Sequence, residues 1–283
     1  MGDNGRALVL GGGGVTGIAW ETGLLHGLAE AGVDLADADL LVGTSAGSVV
    51  AAQMAGGEPL EALYEAQLRP APGERAARLT NGTLLRYLAA YALPGTGRHK
   101  RARLGKAALR ATTVSEAERR AVFEGRLMGR SWPARKLLVT AVDAEDGSFV
   151  VFDRDSGMPF IDAVAASCAV PLVWPPVTND GHRYMDGGMR SPANVDLAAG
   201  YSRVVVVAPI TRALGRAARP TAQAAALGAE ARSIVVSPDA AAVAAIGRNV
   251  LDPARRAPAA EAGRAQAAAV AEAVRGVWCA PSG

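Results

Sequence analysis

The chain has 283 residues, half of them hydrophobic and a fifth charged. That length supports one large domain or two small ones, and the composition excludes a disordered or fibrous chain. The formal net charge is +3 and aromatic residues make up only 5%, a balance that argues against nucleic acid, which needs concentrated positive charge and stacking rings, and at most favours an acidic surface such as anionic lipid.

Arg6–Leu10 is a short apolar run stopped by glycines and reads as a buried strand. Val15 to Ala31 follows with helical spacing, and Gly32 sits where a helix stops. Asp39–Val42 reads as a second strand and Ser45–Ala55 as a second helix, ended by Gly56 and Gly57. Strand, glycine turn, helix, strand, tight turn, helix is the start of a parallel α/β sheet. From about 59 to 130 strand signals vanish, and Tyr64, Leu68, Leu84, Leu88, Tyr91 and Leu104 fall on helical spacings, so a helical insertion or lid over the sheet is expected. Lys136–Val142 and Phe149–Phe152 read as strands joined through Asp146–Gly147, a hairpin signal. Pro159–Cys168 reads as a helix, Arg203–Ala208 as a central strand, and Ser233–Val236 as a further short strand within an Ala-rich helical segment of about 213–283. No repeat or linker divides the chain, so residues 1–283 are expected to form one domain with its core at about 5–210.

Targeting and redox signals are few. Asp3 and the early glycines do not fit a signal peptide, and Arg6 stands where myristoylation needs Ser or Thr. No run of about 18 apolar residues occurs, so no membrane span is expected. Cys168 and Cys279 have no metal-type spacing and suggest a reducing compartment, with one disulfide left open. The expected location is cytoplasmic, with contact at a membrane surface as the furthest extension.

Gly43-Thr44-Ser45-Ala46-Gly47 fits G-x-S-x-G between a strand and a helix. A nucleophile at such a turn is exposed on a sharp backbone, and the Ala46 amide, at the helix start, points at developing negative charge. A small-residue turn without chemistry is the competing reading. Gly11–Gly14 and Gly17 follow the first strand; they suit an oxyanion hole, and Gly12, Gly14 and Gly17 also match G-x-G-x-x-G. A dinucleotide site needs an acid at the end of the second strand, where Gly43 and Thr44 stand instead; Asp34, Asp37 and Asp39 all come too early. A Walker loop is excluded because no Gly-Lys-Ser/Thr follows.

The base is the harder assignment. His26, His99 and His182 are the only histidines, and none occupies the late position a Ser-Asp-His order requires. Asp186, followed by Gly187 and Gly188, is the candidate: a carboxylate on a flexible loop within hydrogen-bond reach can take a serine proton, and desolvation would raise its pKa toward usefulness. A turn-forming Asp is the alternative.

Together, the glycine loop, the elbow and the Asp-Gly-Gly motif, in that order, resemble the patatin-like phospholipases. Ala166–Pro171, Tyr184–Gly188 and Pro192–Asn194 are similar to stretches of that family. The resemblance covers about residues 5 to 210. It implies a three-layer α/β/α fold with a parallel-rich central sheet. It implies a Ser–Asp dyad of Ser45 and Asp186, with Gly12, Gly13, Gly14 and Ala46 as oxyanion donors, attacking a lipid ester through an acyl-enzyme. It implies no metal and no cofactor. The same dyad would also serve a neutral carboxylesterase, a thioesterase or an acyltransferase; a non-catalytic lipid or nucleotide binder is the reading furthest from these. One departure stands out: where the family often carries Arg or Lys in the glycine loop, this chain has Thr16, which weakens the case for phospholipid over neutral ester. The basic run Arg98–Lys106, with Arg110, either docks anionic lipid or is a solvated helix face.

Overall fold

The computed structural model describes residues 5–70, 77–78, 81–213 and 215–279, without the side chains of Asn81 and Leu84. The readings made on residues 1–4, 71–76, 79–80, 214 and 280–283 lie outside it. Strands β1 (Arg6–Leu10), β2 (Leu40–Gly43), β3 (Leu137–Asp143), β4 (Phe149–Phe152), β5 (Val177–Asn179), β6 (His182–Asp186), β7 (Arg203–Val207) and β8 (Arg232–Val236) form one sheet. Its order is β5-β6-β3-β2-β1-β7-β8, with β4 paired to β3. The run from β3 to β8 is parallel; β4, β5 and β6 are antiparallel additions.

The central strands are apolar on both faces because both are covered. Leu8, Leu10, Leu41, Val205 and Val207 point into one core with Trp20, Val49 and Val164. Ala7, Val9, Val42, Val204 and Val206 point into another with Ala193, Val195 and Ala224. Alternate residues thus feed two hydrophobic layers, which is why these strands read as unbroken apolar runs. On the first face lie α1 (Gly14–Glu30), α2 (Ala46–Ala55), α3 (Leu60–Leu68), α7 (Phe160–Ser167) and α10 (Arg256–Trp278). On the second lie a helical turn, Val195–Ala198, and α8 (Pro220–Ala225). The architecture is three-layered, helix over sheet over helix. Of the helices between α3 and β3, α4 (Asn81–Ala92) packs on α5 (Gly97–Ala108), α5 reaches β3, and α6 (Glu116–Arg126) packs on α7 and buries Phe123 in the first core, while α9 (Ala240–Ile246) packs on α10.

The C-terminal helix is part of this packing. A Cβ on Gly23 of α1 would lie 2.0 Å from the Ala260 carbonyl, and one on Gly263 of α10 would lie 2.3 Å from that of Trp20. Two backbones in such contact leave no room for side chains. Trp20 Nε1 donates to Gln266 Oε1 at 3.1 Å across the same seam.

Three expectations are corrected. The second helix begins at Ala46, not Ser45, because Ser45 has φ 51° and leaves the helical region. Asp186 is not on a loop: it is the last residue of β6. The hairpin strands β5 and β6 are missing from the sequence reading altogether, because β5 spans only three residues and β6 is mostly polar with a half-exposed start.

Candidate active site

The register of β3 brings Ser45 and Asp186 together. Val139 and Ala141 each pair with β4 on one side, so their other partners share the opposite edge. On that edge β2 arrives in parallel and ends with Gly43 opposite Val139, while β6 arrives antiparallel and ends with Asp186 opposite Ala141. Two strands therefore meet head-on along one neighbour, their ends two residues, or roughly 7 Å, apart. Thr140 sits in the gap, and its hydroxyl lies 3.3 Å from the Gly43 carbonyl and 2.9 Å from Thr44 Oγ1.

From β2 the chain turns sharply into α2. Ser45 takes φ 51° and ψ −117°, a conformation unfavourable for any residue with a Cβ. The turn closes only because two neighbours lack side chains: a Cβ on Gly43 would lie 2.4 Å from the Ser48 Cα, and one on Gly47 would lie 2.2 Å from the Leu10 carbonyl carbon. The strained serine is held on every side. Its N–H donates to Ser167 Oγ at 2.9 Å. Its carbonyl accepts from Ser48 Oγ at 2.7 Å and from Cys168 Sγ at 3.1 Å. Asn194, itself left-handed at φ 52°, donates to Thr44 Oγ1 at 3.0 Å and to Thr140 Oγ1 at 3.3 Å.

The Ser45 hydroxyl donates to Asp186 Oδ2 at 2.7 Å. The other carboxylate oxygen, Oδ1, accepts from the Gly188 N–H at 2.7 Å. Asp186 is 3% exposed. Burial raises its carboxyl to about 7, against the opposing pull of the hydrogen bonds from Ser45 and Gly188. A carboxylate that titrates near neutrality and already accepts the serine hydroxyl's hydrogen bond has both the geometry and the basicity for general-base work.

The glycine loop lies against this pair. A Cβ on Gly12 would be 3.5 Å from that of Ser45. The Gly12 N–H donates to the Pro192 carbonyl at 2.7 Å, so this amide is engaged and the expectation that it faces an oxyanion is revised. Among the described residues the amides of Gly13, Gly14 and Ala46 have no such backbone partner. Gly14 has φ +61°, and a Cβ there would lie 2.5 Å from the Val250 carbonyl oxygen. Thr16 is buried, with its N–H and its hydroxyl each 3.2 Å from that same carbonyl. It ties the loop to the C-terminal segment rather than projecting toward a ligand.

Each histidine has another occupation. His26 stacks on Tyr64 at 4.8 Å. His99 forms a capping box with Thr96 at the start of α5. The His182 Nδ1 lies 3.1 Å from Asp143 Oδ2. No histidine lines either cavity at Ser45. Asp39 is spent at the opposite end of the sheet, accepting the Arg6 N–H at 2.7 Å. The basic run is partly internal: Arg98 pairs with Asp146, Arg101 Nε donates to the Gly147 carbonyl, and Arg103 donates to the carbonyls of Ala90, Leu93 and Pro94 at the end of α4.

Two supporting residues had a sequence signal but no assigned role. Ser167 and Asn194 both lie in stretches with family character, yet nothing local reveals that one accepts the Ser45 amide and the other braces the elbow. Thr140 carried no signal: it is one polar residue inside a strand.

No sequence match is found among curated proteins. Among solved structures, VipD from Legionella pneumophila is similar at 15% identity and a TM-score of 0.50, covering 95% of this chain and 67% of that one. The type III effector protein ExoU is similar at 17% identity and a TM-score of 0.44, covering 96% of this chain and 53% of that one. The profile of the patatin-like phospholipase family matches residues 8–199, a span that contains the glycine loop, the elbow and Asp186. The chain belongs to the patatin-like phospholipase family and is a serine-type lipid acyl hydrolase.

Proposed function

We propose that Ser45 and Asp186 are a two-residue catalytic unit that cleaves a phospholipid or lysophospholipid ester through an acyl-enzyme. The observation that carries this reading is the 2.7 Å bond from the buried Ser45 hydroxyl to Asp186. Asp186 takes the Ser45 proton as Oγ attacks the ester carbonyl carbon. The amides of Gly13, Gly14 and Ala46 receive the oxyanion, with α2 adding its N-terminal dipole. Collapse breaks the bond from carbonyl carbon to alcohol oxygen, and Asp186 returns the proton to that oxygen. A water then gives its proton to Asp186, attacks the acyl-Ser45, and releases the acid with Ser45 restored.

A lipid-surface role is supported by α4. Tyr87, Ala90 and Tyr91 turn inward, while Leu85 and Leu88 are 66% and 59% exposed. Lys100, Lys106 and Arg110 nearby are free to face anionic headgroups, with no hydrogen bond or ion pair to the described residues. Both cysteines are free thiols, and among the described residues no helix is long and apolar enough to cross a membrane; these facts support a peripheral, cytoplasmic enzyme. The seam between α1 and α10 supports one domain spanning the described residues.

A second reading, a carboxylesterase, thioesterase or acyltransferase using the same pair on a neutral ester, is favoured by the buried Thr16 in place of a cation. A fluorophosphonate probe tests the shared chemistry: labelling of the intact protein that disappears in Ser45→Ala is expected, and an unlabelled intact protein rejects both readings. Turnover of phospholipid micelles against short nitrophenyl esters then separates them.

A further inference from the structure

Two cavities, of about 320 Å³ and about 670 Å³, open on Ser45 from different directions. They share Gly14, Ser45, Val170 and Leu251. An ester whose carbonyl carbon sits at Ser45 has room for its acyl part in one chamber and its alcohol part in the other. Both volumes lie within the range of ligand sites.

The chambers differ in chemistry. The smaller, under α6, is lined by Ile18, Val114, Val122, Val170, Trp174 and Leu251. Its charged side chains are already engaged. Glu118 accepts from the Ser115 N–H and hydroxyl at 2.9 and 2.8 Å, Arg119 lies 4.0 Å over the Trp174 ring, and Arg126 lies 5.8 Å over Phe123. The larger chamber, under α4 and α5, is lined by Lys100, Arg101, Arg190 and Arg212, and Asp186 is its one carboxylate among the described residues. Arg190 is neutralised by Asp196 at 2.6 Å. The other three have unspent donors. Arg101 is held by Nε to the Gly147 carbonyl at 2.9 Å, which fixes its guanidinium and leaves both terminal nitrogens without a partner among the described residues. Lys100 and Arg212 make no hydrogen bond or ion pair with the described residues. Tyr87 and Tyr91 close the wall, their hydroxyls turned to the carbonyls of Pro171 and Met189 at 3.2 and 3.3 Å.

We infer that the α6 chamber takes the acyl chain and the α5 chamber takes a phosphate-bearing alcohol group, held by Arg101 with Lys100 and Arg212. This rests on the Ser45 reading above and assigns, within it, the residues that would select a phosphate-bearing leaving alcohol over a neutral one. Three cations facing one cavity, with no carboxylate but the base among the described lining residues, favour an anion there, and a tethered guanidinium presents paired donors to phosphate oxygens. The cations also supply what Thr16 does not. The alcohol product, with its phosphate, leaves through the α5 chamber while the acyl group remains on Ser45 in the α6 chamber.

The test uses two esters with the same acyl chain, a 1-acylglycerol 3-phosphate and a 1-monoacylglycerol, in neutral-detergent micelles. The full chain is expected to favour the phosphate ester in kcat/KM. Arg101→Ala is expected to lower that preference roughly ten- to a hundredfold, through KM more than kcat, with Arg101→Lys restoring part of it. No preference in the parent, or an unchanged preference in Arg101→Ala, overturns the assignment. Inorganic phosphate that accelerates monoacylglycerol cleavage would also overturn it, since the cations would then serve a free anion. Val122→Trp is expected to shift the parent's preference toward shorter acyl chains; a shift confined to the alcohol group would reverse the chambers and reject the proposal. Fluorophosphonate labelling of Ser45 is followed in every variant. Labelling that persists while selectivity fails rejects only the chamber assignment; labelling lost in the parent rejects the catalytic reading beneath it.

Discussion

The sheet end that carries Ser45 and the helical cover above it hold their side chains in different ways. Ser45, Asp186, Thr140, Ser167 and Asn194 are all buried, and strand register and reciprocal hydrogen bonds fix each of them. In the cover, Leu85 and Leu88 face outward and Arg101 is anchored by a single bond. The proposed chemistry, which depends on tenths of an ångström, falls where the backbone fixes position, and the proposed lipid contacts fall where side chains can adjust. Substitutions in the first region should abolish turnover on every ester; those in the second should change which esters are cleaved.

The largest effect is expected at Ser45. Ser45→Ala should lower kcat/KM on any ester by about 10⁴-fold or more and remove probe labelling, without loss of the folded signal. Asp186→Asn should cost roughly 10³- to 10⁴-fold. It has a second signature. The Asp186 carboxyl titrates near 7 in the folded protein and near 4 when unfolded, so the folded state keeps a proton that the unfolded state releases. The stability this confers is complete below about pH 4 and is lost as pH rises through about 7. Asp186→Asn removes that dependence, so its Tm should rise relative to the parent between pH 5 and pH 8.

Thr140→Val asks whether the gap between β2 and β6 needs its hydroxyl. Loss of its bonds to Gly43 and Thr44, and of the donation from Asn194, should cost about 1–3 kcal/mol in stability and cut turnover on all esters about tenfold. The paired change Leu85→Asp and Leu88→Asp should lower the ratio of turnover on anionic vesicles to turnover on a monomeric ester by up to about tenfold. If it instead abolished labelling, the cover would belong to the fixed region and the contrast would fail. The smallest effect on turnover is expected at Glu21, which is fully buried on α1, where the Gly11 backbone opposes only part of the cost of burying its charge. Burial pushes its pKa well above the ordinary value. Glu21→Gln should leave stability at pH 5 nearly unchanged and raise it at pH 8, where the unfolded chain releases a proton that the buried carboxyl resists giving up, read from denaturant midpoints.

The two regions were unequally legible in the sequence. The parallel strands show as apolar runs because both their faces are covered, and the elbow shows because close approach forces Gly43 and Gly47. Asp186 was found through its following glycines, although they mark a strand end and not a flexible loop: a Cβ on Gly187 would lie 2.3 Å from Thr140 Oγ1. β5 and β6 were invisible because their exposed, polar residues carry no hydrophobic period. The Gly12 amide looked free because only the fold reveals that Pro192 comes to meet it. The cover showed as helical but not as two chambers, since a cavity is made by residues far apart in the chain, such as Tyr87 and Leu251.

The central claim is that a carboxylate takes the serine proton with no imidazole between them. It is tested most directly by the pH dependence of fluorophosphonate labelling at Ser45, in the parent and in a variant with His26, His99 and His182 all changed to Gln. The account predicts that both proteins label with the same rising profile and a midpoint near pH 7, the value at which Asp186 loses its proton. A profile that collapses when the imidazoles are removed would contradict it.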